Sequence, residues 1–325
     1  MTVLVTGAAG FIGMHVAATL LDRGEQVVGV DNVNNYYAVS LKEARLATLT
    51  ARPGFTFHRM DLAEREGLLD LVRKHPEIDR IVHLAAQPGV RYSVENPRAY
   101  ITANVNAHLE VLEAGRHMKK LRHLVFASSS SVYGGNTKLP FALEDPVDTP
   151  QSLYAATKKA DELISYSYAH LYKMPLTGLR FFTVYGPWGR PDMAPWLFTE
   201  AILAGKPIKL FNQGKMQRDF TYIDDIVAGV IGCLDKPPAA DLVPPYRLYN
   251  IGNNNSEELE RFVQVIEQAC GRKAIIELAP MQPGDVVATY ADVSATHRDF
   301  GFAAKTGIDE GLPRFVEWYR TYHKL

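Results

Sequence analysis

The chain has 325 residues and a formal net charge of −1, so its charge gives no reason to expect a nucleic acid or an anionic membrane surface as a partner. The sequence contains no apolar run near the ~18 residues that a membrane-spanning helix requires, and Cys233 and Cys270 lack metal-ligand spacing. Because a strand pattern begins directly after Met1, we expect no cleavable signal peptide and a cytoplasmic location.

The first predicted elements are a strand, a tight turn and a helix that together open a dinucleotide-binding βαβ unit. An apolar run leads into Gly7, Gly10 and Gly13, and a helical pattern follows. Glycine permits the sharp turn at the first position, close approach of a pyrophosphate at the second, and close packing of helix on strand at the third. The free N–H groups of the helix N-terminus would face the phosphates.

An acidic residue stands where such units bind the adenosine ribose. Asp31 ends the second predicted strand, 26–30, at roughly the 20-residue separation from the glycines that is typical of the motif. Its carboxylate can accept hydrogen bonds from both ribose hydroxyls, and its charge would repel a 2′-phosphate. The sequence therefore favours NAD over NADP.

Strand and helix patterns continue to alternate as far as residue 180. Predicted strands cover 55–59, 79–83, 123–127 and 176–180, and predicted helices cover 64–74, 97–119 and 153–172. This alternation is typical of an α/β fold with a Rossmann-type, doubly wound parallel sheet. Ligands of such sheets bind at the carboxyl ends of the strands, so functional residues are expected in the loops that follow them.

Beyond residue 180 the pattern becomes less regular. Predicted strands cover 208–211, 218–222, 249–251 and 275–278, and predicted helices cover 196–204, 223–234, 256–270 and 311–322. We interpret 1–180 as an NAD-binding domain and 181–325 as a smaller C-terminal α/β substrate-binding domain. Later segments could return to cover the first sheet, so we do not expect a clean boundary.

Tyr154 and Lys158 stand four residues apart in a predicted helix and therefore share one of its faces. The ammonium group would stabilise an ionised phenol and could also hold the nicotinamide ribose. A tyrosinate beside a nicotinamide can take a proton from a substrate hydroxyl while NAD takes the hydride. The hydroxyl-rich loop 128–134 precedes the pair, which favours this role over that of a solvent-exposed helix surface.

Several motifs together resemble the extended short-chain dehydrogenase/reductase family. They are TGAAGFIG at 6–13, LAA at 84–86, SSSSVYG at 128–134 and YAATK at 154–158. RFFTVYGP at 180–187 and RDFTYIDD at 218–225 extend the resemblance to members that modify nucleotide sugars. More narrowly, 34–37, 41–46, 87–93 and 189–194 resemble UDP-glucuronate 4-epimerases, so that the resemblance covers nearly the whole chain.

The resemblance implies a role for each matching residue. Tyr154 would remove the proton of the substrate 4-OH as C4 gives its hydride to NAD, Lys158 would hold the cofactor ribose, and Ser129 would hydrogen-bond the same hydroxyl. A 4-keto sugar would form, turn within the site and take the hydride back on its opposite face, with NAD tightly bound throughout. The residues implied to bind the cofactor are Gly7, Gly10, Phe11, Ile12, Gly13, Asp31, Asp61, Leu62, Leu84, Ala85, Ala86, Asn104, Tyr154 and Lys158.

The serines at 129–131 help to separate the reactions of this family. Members that dehydrate or decarboxylate their substrate carry acidic residues just before Val-Tyr-Gly, whereas this chain carries only hydroxyls there. We hypothesise that Ser130, Ser131 and Thr183 hold the sugar carboxylate away from the geometry that loses CO2. Arg190 is expected nearby as a charge partner of that carboxylate.

Two residues of the second part complete the implied UDP-sugar site. Arg218 resembles a diphosphate ligand, for which a guanidinium is well suited, and Asp285 is expected to accept hydrogen bonds from the uridine ribose. The histidines show no metal-binding spacing, and we assign no metal. Family members commonly pair through the helices that correspond to 97–119 and 153–172, so we expect a homodimer.

The resemblance therefore implies an isomerase, an NAD-dependent 4-epimerase that interconverts UDP-glucuronate and UDP-galacturonate, of use in polysaccharide biosynthesis. One alternative is a UDP-glucose 4-epimerase, although such enzymes carry alanine and threonine where this chain has Ser130 and Ser131. A second alternative is a non-catalytic NAD-binding protein on the same fold. The intact Tyr154–Lys158 pair and Ser129 argue against it.

Overall fold

A parallel sheet of seven strands forms the centre of the protein in a computed structural model that describes residues 1–282 and 284–325. The strands are β1 (Thr2–Thr6), β2 (Gln26–Asp31), β3 (Phe55–Arg59), β4 (Ile78–His83), β5 (His123–Ser129), β6 (Leu176–Phe181), β7 (Thr183–Tyr185), β8 (Pro207–Leu210), β9 (Gln217–Tyr222), β10 (Tyr246–Ile251), β11 (Ser256–Glu258) and β12 (Ile275–Leu278).

The helices cover both faces of this sheet and much of the second half of the chain. They are α1 (Phe11–Asp22), α2 (Val39–Thr50), α3 (Gly67–Lys74), α4 (Tyr92–Glu95), α5 (Pro97–Tyr100), α6 (Ala107–His117), α7 (Leu153–Tyr172), α8 (Ala194–Ala204), α9 (Ile223–Leu234), α10 (Leu259–Cys270), α11 (Ser294–Phe300) and α12 (Ile308–His323). A π-helical segment, Ile101–Asn106, joins α5 to α6.

The strands of the large sheet follow the order β3–β2–β1–β4–β5–β6–β10, and all neighbours are parallel. The doubly wound parallel sheet predicted from the sequence is confirmed. The chain reverses direction across the sheet between β1 and β4, and this reversal leaves a crevice at the carboxyl ends of the two strands. Ligands of open α/β sheets bind in such a crevice.

Alternate side chains of β1 enter different cores, as expected for a strand buried on both faces. Val3 and Val5 belong to one buried apolar cluster, and Leu4 belongs to another. Helices α1 and α9 pack together on the first face, whereas α3, α6 and α7 pack on the second. Both apolar clusters pack against the sheet. The ligand crevice therefore lies on a rigid support.

The second half of the chain adds a three-stranded sheet, β11–β9–β7, and a two-stranded sheet, β12–β8. Helices α8, α10 and α12 pack against one another beside them. The chain also returns to the first part, because β10 pairs with β6 at the edge of the large sheet and α9 packs on α1. Strand β10 and helix α9, both from beyond residue 180, therefore belong to the large sheet and to the helices that cover it.

Several element boundaries differ from the sequence predictions. The helix predicted over 64–74 begins at Gly67, because Glu66 has a left-handed backbone with φ of 73°. The helix predicted from residue 256 begins at Leu259, because Ser256–Glu258 pairs antiparallel with β9. Both cysteines are buried and free, and no helix in the described ranges is long and apolar enough to cross a membrane.

Candidate active site

A cleft of about 1140 Å³ lies at the carboxyl ends of the parallel strands and extends towards the second half of the chain. The structure brings almost every residue that the sequence singled out to the wall of this one cleft. These residues are Gly7, Gly10, Phe11, Ile12, Gly13, Asp31, Asp61, Leu62, Leu84, Ala85, Ala86, Ser129, Ser130, Ser131, Tyr154, Lys158, Thr183, Arg190, Arg218 and Asp285.

The turn between β1 and α1 has room for backbone atoms only. Gly7 has a φ of 73°, and a Cβ on it would lie 2.8 Å from the backbone nitrogen of Ala85. A Cβ on Gly13 would lie 2.0 Å from the carbonyl oxygen of Gly7. Helix α1 begins at Phe11 with no acidic residue in its first turn, so its N-terminal N–H groups are available to an anion.

The carboxylate of Asp31 lies at the end of β2 and faces the glycine turn. Its Oδ2 accepts a hydrogen bond of 3.1 Å from the backbone N–H of Ala9, and its Oδ1 accepts one of 2.7 Å from Val33. Burial raises the pKa of Asp31, and these two N–H groups oppose that rise. Asp61 follows the neighbouring strand β3 and accepts a hydrogen bond of 2.9 Å from the side-chain amide of Asn32.

Helix α7 carries Tyr154 and Lys158 into the cleft in its first two turns. The hydroxyl of Ser152 caps this helix by accepting the N–H of Ala155 at 3.1 Å. The Lys158 ammonium donates to the carbonyl oxygen of Ala127, at the end of β5, over 3.0 Å. This bond fixes the lysine against the sheet and beside the serine loop.

The serine loop 128–131 leaves β5 and turns into a short 3-10 helix, Ser130–Tyr133. Ser129 Oγ accepts the N–H of Ser131 at 3.1 Å, and the buried Tyr133 donates its hydroxyl to Asn250 Oδ1 at 2.7 Å. These contacts anchor the loop from below. The hydroxyls of Ser130 and Ser131 line the cleft above it.

The side chain of Arg190 is paired with a carboxylate of the protein itself. Its guanidinium lies in the cleft wall, but Nε and Nη2 both donate to the carboxylate of Asp192, at 3.0 and 2.5 Å. Burial alone would lower the pKa of Arg190, and Asp192 outweighs it and raises that pKa. Tyr36 donates to the same carboxylate over 3.0 Å. The positive charge is therefore already paired inside the protein.

Arg218 and Asp285 lie on the opposite side of the cleft, in the second half of the chain. Asp285 accepts a hydrogen bond of 2.9 Å from Arg91, whose guanidinium lies 4.4 Å from the ring centre of Phe211. Arg218 Nη1 donates to the carbonyl oxygens of Gln217 and Val287 at 2.8 and 3.0 Å. Burial lowers the pKa of Arg218, and its partly buried side chain lies at the wall of the cleft.

Asn104 is placed behind the cleft wall rather than on it. The side chain is buried, and its Oδ1 accepts the N–H of Gln87 at 2.7 Å while its Nδ2 donates to the carbonyl oxygen of Gln87 at 3.2 Å. Nδ2 also lies 3.0 Å from the hydroxyl of Thr157 on α7. Asn104 therefore fixes the backbone of Gln87, a residue that lines the cleft, and its predicted contact with the cofactor stays a prediction.

Arg45 joins the two sides of the cleft and was missed by the sequence analysis. It is fully buried on α2 and donates to the carbonyl oxygens of Ala9 (3.1 Å), Trp188 (2.6 Å) and Gly189 (3.1 Å) and to the hydroxyl of Tyr37 (2.6 Å). The glycine turn is thereby tied to the loop that carries Arg190. A helical arginine normally indicates a solvated surface, so only the long-range contacts reveal this role.

Comparison with known proteins decides the family. Residues 3–252 match the model of the NAD dependent epimerase/dehydratase family. The chain belongs to that family. It is 47% identical over 332 residues to a probable UDP-glucuronate 4-epimerase of Rhizobium meliloti, covering 98% of this chain and 97% of the relative. It is 46% identical over 338 residues to UDP-glucuronate 4-epimerase 4 of Arabidopsis thaliana, covering 99% of this chain and 76% of the relative.

A solved structure of the same family also matches this chain. The crystal structure of UDP-glucuronic acid 4-epimerase from Bacillus cereus, in complex with UDP-glucuronic acid and NAD, matches the chain with a TM-score of 0.91. The two chains are 32% identical, and the match covers 99% of this chain and 100% of the other. The whole cleft therefore lies within the shared fold.

Proposed function

We propose that this family member is an NAD-dependent 4-epimerase that interconverts UDP-glucuronate and UDP-galacturonate. One observation carries the proposal: the glycine turn, the Tyr154–Lys158 pair and a serine loop without a carboxylate face the same cleft. The glycine turn fits a dinucleotide, because any larger residue at Gly13 would strike the backbone and the helix N-terminus is free to meet a pyrophosphate. Bound NAD supplies a hydride acceptor for C4 of the sugar and returns the hydride later.

The side chains at the base of the cleft remove and return the proton of the sugar 4-OH. Tyr154, as a phenolate, takes the proton of the 4-OH while Ser129 donates a hydrogen bond to the same oxygen. Lys158 stabilises the phenolate by its charge and has a third N–H free for the ribose, since Ala127 and Asp161 accept the other two. The 4-keto sugar then turns, and Tyr154 returns the proton once the opposite face has been reduced.

The serine loop and Thr183 give the site its preference for an acidic sugar. A 4-keto glucuronate is a β-keto acid, which loses CO2 when the bond to its carboxylate stands perpendicular to the carbonyl plane. Ser130, Ser131 and Thr183 are neutral hydrogen-bond donors along one side of the cleft and can hold the carboxylate away from that geometry. Because Asp192 already pairs with Arg190, these hydroxyls carry the recognition in the structure as it stands.

The two nucleotides occupy opposite ends of the cleft in this proposal. Asp31 and Asp61 receive the adenosine part of NAD, and Leu62, Leu84, Ala85 and Ala86 provide the surface along which it lies. Arg218 binds the diphosphate of the UDP-sugar, since a guanidinium fork matches phosphate oxygens. Asp285 accepts the uridine ribose hydroxyls. We further infer a cytoplasmic enzyme of polysaccharide biosynthesis, since NAD and UDP-sugars are both metabolites of the cell interior.

We also propose that the protein forms a homodimer through α7 and the helix pair α5–α6. Large apolar side chains are exposed on these helices, including Leu163 (56% exposed), Tyr166 (48%) and Leu171 (65%) on α7 and Leu109 on α6. Sedimentation velocity should give a dimer for the protein and a monomer for the double variant Leu163→Glu, Tyr166→Glu. A monomeric parent protein would contradict the proposal.

A proton NMR time course tests the reaction. The purified protein is mixed with UDP-glucuronate and no added cofactor, and the anomeric signals of UDP-galacturonate are expected to grow to a constant ratio. Formation of a UDP-pentose with release of CO2 would instead indicate a decarboxylase. If UDP-glucuronate stays unchanged even with added NAD while UDP-glucose is converted, the enzyme is the neutral-sugar epimerase, and inertness towards both sugars would indicate a binding protein.

A further inference from the structure

Asp161 lies one helical turn beyond Lys158, behind the floor of the cleft. Its Oδ2 is 3.2 Å from the Lys158 ammonium, and the two side chains are only 1% and 4% exposed. Asp161 does not line the cleft, so it cannot touch a sugar or a nicotinamide bound there. The carboxylate therefore contacts the lysine without reaching the cleft itself.

The other titratable groups around this pair do not neutralise the lysine. His83 on β4 and His108 on α6 are neutral, because burial lowers the pKa of His83 to about 3 and that of His108 well below 6.5. Glu162 is held by Arg180 through two bonds of 2.8 and 2.9 Å. Tyr154 and Lys159 stand beside the pair on α7, and Tyr246 on β10 donates its hydroxyl to the carbonyl oxygen of Glu162. Among the described residues, only Asp161 offers Lys158 an anion in direct contact.

The charge of Asp161 is costly for the fold. Its Oδ1 is buried without a hydrogen-bond partner among the described residues, and burial raises the pKa of Asp161 to about 6 in spite of Lys158. An amide of the same size would fill the same space without a buried negative charge. What the amide would lack is the charge beside the buried Lys158 ammonium, so the carboxylate acts at this position through that charge.

We propose that Asp161 is a positioning residue for the proposed epimerase reaction: it holds the Lys158 ammonium against the floor of the cleft and offsets its charge, and so limits how strongly Lys158 stabilises the ionised Tyr154. Tyr154 must take a proton in one half of the reaction and return it in the other. A phenolate that is too stable would take the proton poorly, so a partly neutralised lysine keeps the two halves balanced.

Removing the charge of Asp161 should make Tyr154 ionise more readily. Without the carboxylate, the full charge of Lys158 acts on the phenolate, and an opposite charge at such short range shifts a titration by about one pH unit or more. The variant Asp161→Asn is therefore expected to lower the midpoint pH of Tyr154 ionisation by about one unit. Asp161→Glu retains the charge and should stay within a few tenths of a unit of the parent protein.

Carbon-13 NMR of protein labelled at the tyrosine Cζ measures this midpoint directly, with Tyr154→Phe to assign the signal. The matched control is Asp225→Asn, which also removes a buried carboxylate but on α9, where Asp225 accepts the N–H of Thr306. The control should leave the Tyr154 titration unchanged even if it lowers the melting temperature. Should Asp161→Asn fail to fold, the smaller Asp161→Ser should give the same shift. An unchanged or raised midpoint in a folded Asp161 variant would overturn the proposal.

This inference rests on the proposed function, but the two can fail separately. The titration of Tyr154 needs no substrate, so it tests the role of Asp161 even if UDP-glucuronate proves to be the wrong sugar. In the active enzyme, the rate–pH profile of Asp161→Asn should move to lower pH as a whole. A profile that keeps its position and only falls in height would show a structural role and contradict the proposal.

Discussion

A Cβ atom on Gly13 would lie 2.0 Å from the carbonyl oxygen of Gly7, a separation that no folded backbone tolerates. Helix α1 packs this closely on the turn because position 13 carries no side chain. The variant Gly13→Ala must move the helix away from the turn, so we expect a loss of about 3 kcal/mol or more in the free energy of unfolding. Chemical denaturation measures that loss, and the amount of NAD that copurifies should fall with it.

A second glycine provides the control for this variant. Gly307 is the N-cap residue before α12 and has a φ of −75°, and a Cβ on it would meet no atom within 4 Å. Gly307→Ala is expected to cost at most about 1 kcal/mol and to retain NAD. Equal stability of the two variants would show that the close contact between Gly7 and Gly13 does not determine the fold of the turn.

Replacing Tyr154 by Phe should slow epimerisation strongly without abolishing binding. The variant removes only the hydroxyl that exchanges the proton, and general acid–base groups contribute about 10²- to 10⁴-fold to rates. We expect kcat to fall within that range while UDP-glucuronate still binds, as calorimetry can measure. Tyr166→Phe, on the outward face of the same helix, should keep full activity. Full activity of Tyr154→Phe would indicate another base.

The double variant Ser130→Ala, Thr183→Ala should lose control of the sugar carboxylate. Both hydroxyls line the cleft, and without them the carboxylate of the 4-keto intermediate is free to rotate into the geometry that releases CO2. We expect a UDP-4-keto-pentose beside UDP-galacturonate in the NMR time course. Ser167→Ala, at an exposed position on α7, should form none. An unchanged product ratio in the double variant would refute this role.

Buried histidines should make the protein unstable in mild acid. Burial lowers the pKa of His15 and of His123 to about 4 and that of His83 to about 3, and that of His108 lies well below its usual value. Above pH 6.5 each histidine is neutral in the folded and in the unfolded chain, and the stability of the protein is complete. As the pH falls below 6.5, the unfolded chain binds protons that the folded protein does not, so stability is lost until the pH reaches the pKa of the folded state. The linkage relation gives a loss of about 2 kcal/mol for each histidine at pH 5.

Buried carboxyl groups act in the opposite direction. Burial raises the pKa of Asp161 and of Asp219 to about 6, and it also raises the pKa of Asp31 and of Asp224, so these groups favour the folded state as the pH falls from 6 towards the pKa of the unfolded chain. The histidines outweigh them, and we expect a net loss of roughly a few kcal/mol between pH 7 and pH 5. Urea denaturation at the two pH values measures the difference. Equal or greater stability at pH 5 would mean that the histidines are charged in the folded protein.

Local sequence patterns were sufficient for the central layer of the fold and for the glycine turn, Asp31, Tyr154 and Lys158, whereas the other predicted residues of the cleft wall came from the family resemblance. The glycines and Asp31 act through their own backbone geometry and through the strand that each follows, so spacing alone places them. Tyr154 and Lys158 share a helix face for the same reason. Each of these positions depends on contacts within one βαβ unit, and the periodicity of the sequence predicts structure over that range.

The features that the sequence did not reveal depend on contacts between distant segments. Arg190 is paired by Asp192 and Tyr36 together, and Arg45 on α2 reaches carbonyl oxygens near residues 9 and 188. The strand β11 was predicted as the start of a helix, because its pairing with β9 leaves no local signature. No periodicity of the chain encodes which loops meet across the cleft, so these features require the structure.

The most direct test of the account follows the hydrogen at C4 of the sugar. UDP-glucuronate with deuterium at C4 is incubated in ordinary water with the protein as purified, and the product is examined by proton NMR and mass spectrometry. If the hydride leaves C4 and returns from the same bound NAD, the UDP-galacturonate formed retains its deuterium at C4. Product that carries protium at C4 would show exchange with solvent or with free cofactor, and would contradict the mechanism proposed for this cleft.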